Sequence, residues 1–98
     1  MLEVHLQGAF AYTPVRVSLD SKVVFDSLAT TNLILGLAER IPIHATQGAH
    51  MLEVIVEGEH IHREQIVLDA ELYVAVIYNA ALDDPIAFQI SQVGFVYF

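Results

Sequence analysis

Turn-forming residues punctuate this chain roughly every eight to twelve positions, and most stretches between them alternate apolar with polar side chains. Leu2, Val4 and Leu6 alternate with Glu3, His5 and Gln7. Val15, Val17 and Leu19 alternate with Arg16, Ser18 and Asp20, and Leu52, Val54 and Val56 with Glu53 and Glu57 across a run bounded by Gly48 and Gly58. Successive side chains of a strand point to opposite faces, so each run gives a strand with one dry face and one wet one. No segment repeats the apolar spacing of an amphipathic helix. The pattern therefore predicts an all-β chain: an antiparallel β-sandwich of about seven or eight strands, with a small barrel as the alternative. With 98 residues, the whole chain, 1–98, reads as a single domain.

Several connections are legible. Asp20-Ser21 separates two alternating runs and predicts a hairpin, although the preferred Asp-Gly pair is absent. Asp26-Ser27 reads as the end of the second strand of that hairpin. Residues 28–40 are ambiguous between a strand or irregular crossing segment and a single helical turn capped by Thr31 or Asn32. Pro42 biases Ile41 towards extended backbone. Asp83-Asp84-Pro85 marks a turn. Two runs, 72–78 and 93–98, are apolar on both faces, as strands flanked on both sides are.

Composition bears on function. The chain is 55% hydrophobic and 16% charged, against about 45–50% and about 25% for an average soluble domain. A small core cannot hide that surplus, which points to a second buried surface: a subunit interface or an apolar ligand site. The formal net charge of −8 disfavours nucleic acid and anionic membranes as partners. With no cysteine, disulfides, thiolate metal sites and cysteine nucleophiles are excluded. No apolar run approaches the roughly 20 residues of a membrane-spanning helix. Without a visible signal peptide, the chain reads as intracellular, or as one whose leader is missing.

The best candidate for chemistry is His60, His62 and Glu64. At i, i+2 and i+4 on a strand they share a face, and two imidazoles with a carboxylate can hold Zn²⁺ or another divalent metal. A two-residue turn at Gly58-Glu59 would pair Glu57 with His60, Ile55 with His62 and Glu53 with Glu64. All five polar residues would then lie on one wet face. That register, however, sends Arg63 and Gln65 inward, and a longer loop or a bulge would relieve the conflict. The His-x-His spacing resembles the first motif of metal-binding cupins, which implies a β-barrel metal site. Glu64 arrives earlier than the glutamate of that motif, and no second cupin motif follows.

The remaining signals favour assembly over catalysis. There is no Gly-x-Ser-x-Gly elbow and no glycine-rich phosphate loop. The five histidines (His5, His44, His50, His60, His62) allow association to vary with pH. The aromatic end, Phe95, Val96, Tyr97 and Phe98, reads as a strand that either closes the domain or pairs with another chain. The layout resembles immunoglobulin-like and prealbumin-like sandwiches, without the cysteine and tryptophan of true immunoglobulin domains. Together these features point to a non-enzymatic structural or interaction module that self-associates through apolar β-surfaces. A metal- or small-ligand-binding sandwich built on His60, His62 and Glu64 is the alternative.

Overall fold

A computed structural model describes residues 1–95. Among the described residues the alternating runs form eight strands: β1 (Leu2–Gly8), β2 (Thr13–Leu19), β3 (Lys22–Ala29), β4 (Leu37–Ile43), β5 (Gly48–Val56), β6 (His60–Leu68), β7 (Leu72–Tyr78) and β8 (Ile86–Ser91). They build two four-stranded sheets, ordered β4-β1-β7-β8 and β3-β2-β5-β6. The dry faces meet between the sheets. Leu2, Val4, Leu6, Val15, Val17, Leu52, Val54, Val56, Val74 and Val76 are all at most 1% exposed, so each alternation read from the sequence fixes a face of the core.

One pairing departs from the antiparallel expectation. β1 and β7 run parallel, with Leu2 opposite Leu72 and Gly8 opposite Tyr78. No hairpin joins them, because the chain visits the other sheet in between, so nothing forces reversal. Gly8 sits at the end of this pair with φ 98°, and a Cβ there would lie 2.5 Å from the Tyr78 carbonyl oxygen. As its doubly apolar sequence implies, β7 is flanked on both sides, by β1 and β8.

The β2–β3 hairpin forms at Asp20-Ser21 without glycine. Both residues take left-handed backbone, φ 51° and 69°. Asp20 compensates: its carboxylate accepts from the Met51 N–H at 2.9 Å and lies 2.6 Å from His50 Nδ1. β3 continues past Asp26-Ser27 to Ala29, because on an edge strand Asp26 and Ser27 can face solvent while their backbone pairs with Arg16 and Val15. In the ambiguous segment, Leu28 and Ala29 end β3 and residues 37–40 begin β4, and between them a single helix-like turn closes where the Gly36 N–H bonds to the Asn32 carbonyl at 2.7 Å. Asn32 bridges to Leu37, and its side-chain oxygen accepts from the Ile34 and Leu35 N–H groups.

The wet face of β1 is not wholly wet. His5 is only 2% exposed. Its imidazole lies 2.7 Å from Glu3 Oε1 and edge-on to Phe95, with ring centroids 5.3 Å apart. Residues 92–95 therefore pass over the outer face of the first sheet and are not a strand. The other three residues of the aromatic end, Val96, Tyr97 and Phe98, lie outside the described residues.

Candidate functional site

The placement of His60, His62 and Glu64 follows from one loop. Glu57, Gly58 and Glu59 make a three-residue connection, with Glu57 and Gly58 at φ 57° and 70°. The Glu59 N–H bonds to the Val56 carbonyl at 3.2 Å, and the Glu57 N–H to the Pro14 carbonyl at 2.8 Å. The register becomes Val56 opposite His60, Val54 opposite His62 and Leu52 opposite Glu64. The two-residue turn read from the sequence is therefore corrected by one position. A shift of one residue turns every side chain of a strand to its other face. Arg63 moves outward, where its Nε lies 2.8 Å from Glu53 Oε2. Ile66 and Leu68 enter the core.

His60, His62 and Glu64 do share a face, but it is the inner one, and Glu53 lies on the opposite side. β6 is an edge strand of one sheet and β8 an edge strand of the other. The three polar residues line the lateral slot between these edges, each half-buried. His62 packs on Phe88 of β8, centroids 4.3 Å apart, and its Nε2 lies 3.2 Å from Glu64 Oε1. His60 faces Tyr78 at 6.4 Å, and Tyr78 stacks on Phe10. Burial raises the Tyr78 phenol above its ordinary value, and the negative charges of Glu57 and Glu59 raise it further.

This geometry separates the sequence-identified residues. His60 turns towards the loop, with Nε2 3.3 Å from Glu59 Oε1, while His62 is engaged by Glu64. Among the described residues, the group whose ligand atoms all lie within 4.8 Å of one another is Glu57, Glu59 and His60. Such a set offers one nitrogen and two carboxylate oxygens to a divalent ion, at an exposed loop. The row His60, His62, Glu64 also has a plain structural consequence. Polar groups pointing inward at an open edge hinder the pairing of another strand there, because docking would desolvate them.

Two features escaped the sequence. The first is the turn between β3 and β4, which presents Leu33 and Ile34 at 94% and 84% exposure. The run of apolar letters was visible, but nothing local says that a Leu-Ile pair stands clear of the core. The second is His50, held between Asp20 and the Thr46 carbonyl, with Nε2 2.7 Å from that oxygen. From sequence Asp20 reads as a turn residue, and its partner lies far along the chain. Compared with known proteins, the chain matches no family model, no curated protein and no solved structure.

Proposed function

We propose that this chain is a non-enzymatic structural and interaction module that associates with copies of itself through the outer face of the β3-β2-β5-β6 sheet. The observation that most supports this reading is the make-up of that face. Leu28, Met51, Ile61 and Val67 lie on it, between 39% and 59% exposed. Its charges cancel in pairs: Arg16 with Asp26 at 3.4 Å, and Arg63 with Glu53. A chain of net charge −8 repels its own copies over most of its surface. On this face two cations are matched by two carboxylates, so copies meet there without like-charge opposition. Four strands about 4.8 Å apart and seven to nine residues long span about 19 by 27 Å, so two copies bury on the order of 1,000 Å². That is near the lower limit for stable association and supports a weak, reversible dimer. Sedimentation velocity over a concentration series tests it: the weight-average coefficient should rise with concentration, and a strict monomer throughout would remove the reading.

A second reading, divalent-cation binding, is supported by the convergence of Glu57, Glu59 and His60. It keeps one of the three ligands identified in the sequence and recruits the other two from the adjoining loop.

A further inference from the structure

At the end of the sandwich away from the slot, the β2–β3 hairpin and the segment after β4 part around a cavity of about 330 Å³. Its floor is apolar: Leu19 and Ile43 belong to the buried core, and Val24 and Ala45 pack against it. Its rim carries Lys22 and His44, both exposed. One wall is the Asp20–His50 pair.

The charges of this cavity do not cancel. His50 places Nδ1 2.6 Å from an Asp20 carboxylate oxygen and Nε2 2.7 Å from the Thr46 carbonyl oxygen. An ionised carboxylate and a carbonyl only accept, so both ring nitrogens must donate, and the imidazole satisfies both as a cation. The imidazolium offsets the Asp20 charge within the wall. Lys22, the chain's single lysine, makes no ion pair among the described residues. Its ammonium is thus the uncompensated charge of the cavity, in a chain of net charge −8. A volume of this size falls in the range of small-molecule sites, which combine apolar lining with a few placed polar groups.

We propose that this cavity binds a small amphipathic carboxylate, with its hydrocarbon part on the Leu19, Val24, Ile43 and Ala45 floor and its carboxylate at Lys22, beside His44. The hydrogen-bonded wall holds one side of the cavity in place before the ligand arrives, which lowers the ordering cost of binding. The site is independent of the sheet face through which copies associate.

Octanoate is a suitable probe, with octan-1-ol and octylamine as isosteres of different charge. Titrated into ¹⁵N-labelled protein, octanoate should shift the amides of residues 19–24 and 43–50 and saturate at millimolar concentration. Octan-1-ol should bind about tenfold more weakly, as expected when one charge-assisted contact is lost. Octylamine should leave these amides unmoved. Lys22→Gln, at an exposed position, should weaken octanoate about tenfold without changing octan-1-ol. Ala45→Phe should fill the floor and abolish binding of both. The proposal is overturned if octanoate and octan-1-ol bind equally, if Lys22→Gln leaves octanoate affinity unchanged, or if octanoate shifts no amide of the cavity.

Discussion

Ile61→Lys isolates the sheet face as a contact surface. Ile61 points outward from β6, opposite Ile55, and is 58% exposed. Fully burying such a side chain is worth about 1.5–3 kcal/mol, so covering the exposed 58% contributes about 0.9–1.7 kcal/mol per copy. A two-fold interface contains the residue twice, so its loss removes about 1.7–3.5 kcal/mol and raises Kd roughly 20- to 300-fold. The lysine also disturbs the charge balance set by Arg16–Asp26 and Arg63–Glu53, which acts in the same direction. The monomer loses no core contact, and its stability should change by no more than about 0.5 kcal/mol. Sedimentation velocity gives Kd, and a denaturant melt of dilute protein gives stability. Leu33→Ser, on the exposed turn and off the sheet face, serves as the comparison and should leave Kd unchanged. An unaltered Kd for Ile61→Lys, or dissociation by Leu33→Ser instead, would refute the assignment of the contact to the sheet.

Three further outcomes follow from local geometry. The Asp20 hydrogen bond, followed by the Thr46 carbonyl, raises the His50 pKa above 6.5, while the His50 bond and the Met51 N–H lower Asp20 below 3.8. The His50 contribution is whole below 6.5 and is lost as pH rises through its raised folded value; that of Asp20 is whole above 3.8 and is lost as pH falls through its lowered one. The stability gap between wild type and His50→Gln, read from urea titrations, should thus be widest between those values and close in alkaline solution; a gap that grows there contradicts the arrangement. Gly8→Ala forces a Cβ to 2.5 Å from the Tyr78 carbonyl oxygen at φ 98°. It should cost about 3 kcal/mol or more, and a melting temperature lowered by about 12–24 °C is the expected reading. Under the cation reading, millimolar Zn²⁺ should raise the melting temperature by mass action, and the double change Glu59→Gln, His60→Gln should remove that rise. A rise that survives it would place the ion elsewhere.

The strands were legible because period-two alternation is a local signal and the core lies on the side it marks. Val15, Val17 and Leu19, or Leu52, Val54 and Val56, need no distant information to declare their face. The β5–β6 loop was legible only through a contradiction: Arg63 and Gln65 turned inward while Ile66 shared a face with the histidines. Counting one residue more in the loop resolves it, yet the sequence holds no separate mark for three residues over two, since Glu57 is a non-glycine at positive φ. Beyond the β2–β3 and β5–β6 hairpins and the antiparallel run of most pairings, the order of strands in the sheets and the parallel β1–β7 pair were not legible. Nothing near Leu2 announces Leu72 as its neighbour, and nothing near Asp20 announces His50. The burial of His5 beneath Phe95 is hidden for the same reason, since a polar residue on the outer face of a strand reads as wet until something crosses over it. The candidate site shared this fate: its residue types were visible, whereas the edge position that sets their environment is a property of the sheet.

The parallel pairing of β1 with β7 closes the longest sequence separation between paired strands in the two sheets. The hairpins β2–β3 and β5–β6 join neighbours in sequence and need only short loops to close. β1, by contrast, meets a partner about seventy positions away, and such long closures are slow to form. Until β7 exists, β1 can hold only β4, and its other flank is an unsatisfied row of backbone donors and acceptors beside a large apolar face. Withdrawal of β7 from β1 would therefore uncover that flank and the inner face of the sheet together, so the integrity of the β4-β1-β7-β8 sheet rests on a contact between two distant parts of the chain.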